Sequence, residues 1–260
     1  MTNRIKDLLV YIIYGIIFLT ITAVLYLYYP QKLEAMTLLG NVVQLIVPFF
    51  AGFAIMLLFN PRIFGDVKRS MPWMFIGLGF IFWALGQLAY LYMEVILRIE
   101  VPSPSIADIG YLLLYPFVFI GYFLQYRIFG RIKITSVLFY AMLSLFIGTY
   151  MFLVWGSLTS STGINQAIQI AYIIGDIGFV VGASVMAYTN RNGFLMWPWI
   201  ILAISASIFA YGNALYDYMS QIGTYQTGSF VDMFWIIAFI VAWVGAHLFS
   251  LIMKVRPSEE

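Results

Sequence analysis

The sequence predicts an all-α, polytopic membrane protein with eight transmembrane helices arranged as two parallel four-helix repeats. Three observations carry that prediction. First, 63% of the 260 residues are hydrophobic and only 9% are charged, where soluble domains carry roughly 25% charged residues. A soluble domain of this size buries only about 70–75% of the surface its unfolded chain exposes, so a chain this apolar needs lipid as its solvent. Second, apolar runs of about 20 residues, the length of a membrane span, recur eight times. Third, the basic residues sort onto one side of the topology those runs create.

The first run, from Leu8 to about Tyr28, follows Arg4 and Lys6. It is too long for a signal-peptide core and no small-residue cleavage site follows it, so it reads as a retained helix. The second run covers roughly 36–59 and opens with Asn41 and Gln44. The third, roughly 72–97, ends with Gly86-Gln87 and Tyr90; the fourth, 108–128, is introduced by Ser105 and Asp108. The fifth is 134–156. The sixth, 166–189, opens with Gln166 and Gln169 and carries Asp176. The seventh, 194–218, ends with Gly212-Asn213 and Tyr216, and the eighth, 229–253, opens with Ser229 and Asp232. The connections are short, so 1–260 is a single transmembrane domain without an inserted soluble part.

With the N-terminus inside, one face carries Arg4, Lys6, Arg62, Lys68, Arg69, Arg127, Arg131, Lys133, Arg191, Lys254 and Arg256. The other carries Lys32 and Arg98. Eleven of thirteen basic residues on one side make that side cytoplasmic by the positive-inside rule. The expected localisation is the plasma membrane, with both termini cytoplasmic. Trp73, Trp155, Trp197 and Trp199 fall near helix ends, where indoles favour the interface.

The halves match at an offset of about 125 residues. Gly86-Gln87 and Tyr90 pair with Gly212-Asn213 and Tyr216. Ser105, Asp108 and Tyr111 pair with Ser229, Asp232 and Trp235, and Asn41 and Gln44 with Gln166 and Gln169. Repeat 1 is about 8–128 and repeat 2 about 134–253. Four spans per copy is an even number, so the copies run in the same direction, related by an axis along the membrane normal.

Asp176 stands out among the polar residues. At about 1.5 Å per residue from Gln166 it lies about 15 Å deep, near the midplane. A carboxylate there costs at least about 2.5–3.5 kcal/mol and is a functional candidate by default. No basic residue is available at that depth, so it is expected to be protonated or hydrogen-bonded to amides and hydroxyls. Structural glue is the alternative, favoured by Gly175 and Gly178, which permit close helix approach. The outer rim holds Glu94, Glu100, Asp108, Asp217 and Asp232. Ser105-x-x-Asp108 and Ser229-x-x-Asp232 have capping-box spacing. Alternatively Asp108, Asp217, Asp232 and Glu94 line an outward-facing pocket between the halves, with Gln87, Asn213, Tyr90 and Tyr216 beneath. Such a pocket suits a cationic or polar ligand.

Other chemistries find no support. The chain has no cysteine and one histidine, His247; alone, that residue reads as a hydrogen-bonded bundle residue and not as a metal or haem ligand. No lysine sits mid-helix to carry a retinal Schiff base. Phosphate-binding loops, hydrolytic triads and a basic aromatic surface for nucleic acid are missing. No enzyme activity, cofactor or metal is expected.

The loop before the fourth span reads Pro102-Ser103-Pro104-Ser105-Ile106-Ala107-Asp108-Ile109-Gly110-Tyr111-Leu112, with Tyr115-Pro116 after it. It resembles a segment of the multi-helix membrane regions N-terminal to some diguanylate cyclases and sensor histidine kinases. Gly175-Asp176 and the stretch from Gly228 through Asp232 to Trp235 are similar to later elements of those regions, so the likeness runs from about Gly77 to Leu248. It implies a sensory or ligand-binding membrane module. No output domain follows Lys254 in this chain, so a stand-alone module reporting to a separate partner protein is expected, with a small molecule or lipid as ligand. A small-molecule or proton-coupled carrier using Asp176, or a non-catalytic subunit of a larger membrane complex, are the alternatives.

Overall fold

The computed structural model describes residues 2–28, 33–129 and 137–255. Eight long helices make up most of them: α1 (Thr2–Tyr28), α2 (Leu33–Leu58), α3 (Val67–Leu91), α4 (Ile106–Phe129), α5 (Val137–Ser160), α6 (Gly163–Thr189), α7 (Met196–Gln221) and α8 (Asp232–Val255). No strand occurs among the described residues. Helices α2 to α8 contain seven stretches long and apolar enough to cross a membrane; in α1 the apolar stretch Ile12–Tyr28 is shorter. The chain is thus a multi-pass helical membrane protein by length and composition. Lys32, Arg131, Lys133, Arg256 and the start of the expected fifth span lie outside the described residues. So do the side chains of Arg4, Lys6 and Lys254.

The helix boundaries have local causes. Asn60 Oδ1 accepts from the Arg62 N–H at 2.9 Å and starts a single turn, Pro61–Phe64, which Gly65 closes at φ 83°. Asp66 then caps α3 by accepting from the Arg69 N–H at 3.1 Å. At its other end α3 widens into a π-helical turn, Tyr92–Ile96, followed by Arg98 at φ 54°. A π turn inserts an extra residue into the ladder, and here it carries Glu94 across to α2. Helix α5 continues to Ser160, past the expected end at 156, and there Thr159 and Ser160 bond back to carbonyls of the preceding turn.

Six helices close a ring in the order α2, α3, α4, α6, α7, α8, each touching the next and α8 returning to α2. Helix α1 lies outside on α8, and α5 outside on α7 with a smaller contact to α6. Two close helix contacts have corresponding positions. A Cβ on Gly121 of α4 would sit 2.7 Å from the Pro72 carbonyl of α3, and one on Gly245 of α8 would sit 3.0 Å from the Pro198 carbonyl of α7. Trp73 of α3 and Trp199 of α7 meet across the ring with centroids 4.9 Å apart.

Aromatic side chains fill the ring from that pair inward. Phe59 and Phe249 flank the indoles. Phe239 then joins Phe80, Trp83 and Phe209 at centroid distances of 4.9, 4.9 and 5.7 Å. Such pairs contribute about 0.5–1.5 kcal/mol each beyond the area they bury. The column occupies the half of the ring where α3 and α7 begin. The other half, where those helices end, is where polar residues gather.

Candidate functional site

Two polar triads sit at the top of the aromatic column. In the first, Gln87 of α3 donates through Nε2 to Asn41 Oδ1 of α2 at 3.0 Å and accepts at Oε1 from the Tyr111 hydroxyl of α4 at 2.5 Å. In the second, Asn213 of α7 donates through Nδ2 to both carboxylate oxygens of Asp176 in α6 at 3.0 Å, and its Oδ1 accepts from Trp235 Nε1 of α8 at 2.8 Å. Indole N–H is only a donor, so it fixes the orientation of the Asn213 amide and points Nδ2 at Asp176.

Asp176 is fully buried. Tyr115 of α4 donates to Oδ1 at 2.7 Å and Tyr150 of α5 to Oδ2 at 2.5 Å. With Asn213, three helices thus supply donors to a fourth. The groups around this acid are hydroxyls and an amide, as its depth demands. Gly175 and Gly178 do not bring two backbones together: they seat the rings of Tyr115 and Phe119, which places the Tyr115 hydroxyl against the carboxylate.

The rim acids divide by partner. Asp108 Oδ2 accepts from the Ser105 N–H at 2.6 Å, one half of the expected capping box, while the Asp108 N–H goes to the Ser105 carbonyl and Oδ1 accepts from Tyr172 of α6 at 2.7 Å. Asp232 reaches one residue further back than its spacing predicts. It accepts from the Gly228 N–H at 2.6 Å, and Ser229 Oγ is buried without a hydrogen-bond partner among the described residues. Gly228 sits at φ 89°, a conformation favoured by glycine, and this turns its N–H back toward α8. The other Asp232 oxygen accepts from the Tyr225 hydroxyl at 2.8 Å. Burial, then the neighbouring Asp232, pushes the Tyr225 phenol well above its ordinary value, so it remains a donor. Glu94 accepts from Asn41 Nδ2 at 2.5 Å and from the Thr227 hydroxyl at 2.9 Å. A continuous chain therefore runs from Tyr111 through Gln87, Asn41 and Glu94 to the α7–α8 loop.

Between these groups lies a cavity of about 380 Å³, within the range of small-ligand sites. Its floor includes Trp83, Gln87, Tyr111, Asn213 and Trp235. Its walls carry Gln169, Tyr172 and Tyr216, and its rim is made by the α3–α4, α5–α6 and α7–α8 connections. Of the nine residues singled out from the sequence, Asp108, Asp217, Gln87, Asn213, Tyr90 and Tyr216 line it. Asp176, Asp232 and Glu94 do not: each lies behind the lining and holds a residue or loop in place. No family model, curated protein or solved structure matches this chain. The site is therefore read from its own geometry.

Sequence reasoning overlooked the tyrosines. Tyr115, Tyr150, Tyr172 and Tyr225 each donate to an acid. Polar spacing carries no signal for them. Sequence reasoning also overlooked the pairing of Pro72-Trp73 with Pro198-Trp199, for which an offset of 126 residues was a signal. Among the described residues no group of three or more His, Asp or Glu is placed to hold a metal. His247 lies against Trp243, with ring centroids 5.8 Å apart.

Proposed function

We propose that this chain is a membrane sensory module: the cavity binds a small polar or cationic molecule, and the opposite end of the bundle reports its occupancy to a separate partner protein. The observation that carries the reading is the cavity itself, walled by residues of α3, α4, α5, α6, α7 and α8. A ligand there touches both halves and biases how they sit against each other. The resemblance of the 102–116 loop to sensor membrane regions supports the same reading. In this proposal there are eight spans, with both termini cytoplasmic and the cavity facing outward. The halves are parallel repeats, for which the matched Gly121–Pro72 and Gly245–Pro198 contacts and the facing Trp73 and Trp199 speak. A carrier needs a path through the Phe80, Trp83, Phe209 and Phe239 column; a sensor does not, and this favours the sensor.

The test is a thermal-melt screen of the chain in nanodiscs against small polar molecules. Ser160→Trp, which fills the cavity rim, serves as the blocked control. A ligand that raises the melting midpoint saturably, and loses that effect in the blocked variant, supports the reading. If radiolabelled ligand then accumulates in proteoliposomes, the chain is a carrier. A screen with no saturable ligand removes the sensory reading.

A further inference from the structure

The cavity's chemistry narrows its ligand. This step rests on the reading of the cavity as a ligand site. Eight aromatic residues line it: Trp83, Tyr90, Tyr111, Tyr150, Tyr172, Tyr216, Tyr225 and Trp235. Four of these tyrosines direct their hydroxyls into the frame. Tyr111 donates to Gln87, Tyr150 to Asp176, Tyr172 to Asp108 and Tyr225 to Asp232. Their O–H donors are spent, and what they can offer a ligand is ring surface and acceptor oxygens, not donors.

The acidic lining groups are Asp108 and Asp217, with no lysine, arginine or histidine among the lining residues. Both Asp108 oxygens are engaged. Asp217 differs. Its one hydrogen bond among the described residues comes from Gln169 Nε2 at 3.3 Å, a long contact, to Oδ2. A carboxylate has about four acceptor sites. Gln169 itself is 8% exposed, and its Oε1 is buried with no hydrogen-bond partner among the described residues. A buried amide oxygen left unpaired is costly, and here it lies beside an acid short of donors. The local deficit is of donors and of positive charge, inside an aromatic wall that attracts cations by its ring faces.

We propose that the cavity binds a small protonated amine, with its N–H groups donating to Asp217 and to Gln169 Oε1 and its carbon skeleton against the aromatic rings. A quaternary ammonium would keep the ring contacts but could not supply the missing donors. An anion or a neutral alcohol would lack the charge.

The experiment is isothermal titration calorimetry of the full chain in nanodiscs with four probes of one shape: phenethylammonium, its N-trimethyl analogue, 2-phenylethanol and 3-phenylpropionate. Phenethylammonium is expected to bind saturably and the other three more weakly. Asp217→Asn should weaken it about tenfold or more, the value of one charge-assisted hydrogen bond, while Asp217→Glu retains binding. Size-exclusion profiles and unliganded melts establish that both variants fold. Equal binding of the trimethyl analogue, or phenethylammonium binding unaffected by Asp217→Asn, overturns the amine assignment. So does preferential binding of the alcohol or the anion, although the cavity then remains a ligand site. Failure of all four probes to bind overturns the amine assignment. The thermal-melt screen above is independent of it and decides separately whether the cavity is a site at all.

Discussion

The Tyr115 hydroxyl of α4 donates to Asp176 of α6 at 2.7 Å, and Tyr172 of α6 donates to Asp108 of α4 at 2.7 Å. The two bonds run in opposite directions between the same pair of helices, and the rings of Tyr115 and Tyr172 meet edge to face with centroids 6.3 Å apart. Helices α4 and α6 belong to different halves. The halves are therefore joined on this side by a reciprocal tyrosine–aspartate lock, buried at Asp176 and partly open at Asp108.

The buried bond makes a signed prediction. Asp176→Leu leaves the hydroxyl donors of Tyr115 and Tyr150 without an acceptor and Asn213 Nδ2 with only the Tyr115 hydroxyl at 3.3 Å, at about 1–3 kcal/mol for each group left unsatisfied. Asp176→Asn is milder, because its carbonyl still accepts and a tyrosine hydroxyl can turn to accept from its amide. Tyr115→Phe in the wild-type background should cost about 0.6–1.7 kcal/mol, the span seen for bonds in membrane interiors. In the Asp176→Leu background it should be neutral or restore stability, since it removes an orphaned donor. Thermal melts of the four variants measure this. Equal losses from Tyr115→Phe in both backgrounds would show that the bond contributes nothing.

Gly175 tests the same lock by shape. A Cβ at Gly175 would lie 2.5 Å from the Tyr115 ring, whereas one at Gly148 of α5 meets nothing within 4 Å. Alanine is the better helix former by roughly 1 kcal/mol. Gly148→Ala is therefore expected to leave the melting midpoint unchanged or raise it. Gly175→Ala should lower the midpoint, at a stability cost of about 1–3 kcal/mol, the range of overpacked cores, by pushing Tyr115 off Asp176. If both alanines raise the midpoint, the seat at Gly175 is slack.

Membrane class and most helix ends were legible because hydrophobic run length and charge placement act locally along the chain. The triad residues Gln87 and Asn213 were legible because an amide is conspicuous in an apolar helix. Tyr115, Tyr150, Tyr172 and Tyr225 were not. The chain has 19 tyrosines, and only packing decides which hydroxyl faces an acid. The ring order was hidden for a related reason. Sequence order does not say that α4 meets α6, or that α5 is left outside. The π turn at Tyr92–Ile96 escaped notice because hydrophobic periodicity barely changes over one extra residue.

That turn carries its own prediction. Glu94 is held by Asn41 and Thr227, and Asn41 is also the acceptor for Gln87. Gln87→Leu orphans the Tyr111 hydroxyl and the Asn41 carbonyl, yet leaves the Glu94–Thr227 bond untouched. Amide exchange should consequently rise in α2 and α3 around Asn41 and Gln87, with the α7–α8 loop little changed. Glu94→Ala should do the reverse and loosen the loop around Thr227. Hydrogen-exchange mass spectrometry distinguishes the two. Identical exchange patterns in both variants would mean the chain of bonds acts as one unit and not as two separable links.

The proposed orientation is directly testable because the chain has no cysteine, so a single introduced thiol reports one position without background. Ser103 and Ser161 lie at the rim of the cavity, in the α3–α4 and α5–α6 connections. Lys68 and Arg191 lie at the other ends of α3 and α6 and are exposed. A seven- or eight-span bundle with these helices antiparallel in sequence puts the first pair on one face and the second pair on the other. Ser103→Cys and Ser161→Cys should therefore label with a membrane-impermeant maleimide in intact cells. Lys68→Cys and Arg191→Cys should label only after permeabilisation, as the proposed orientation requires. The opposite labelling would turn the cavity toward the cytoplasm and give the proposed sensor an internal ligand.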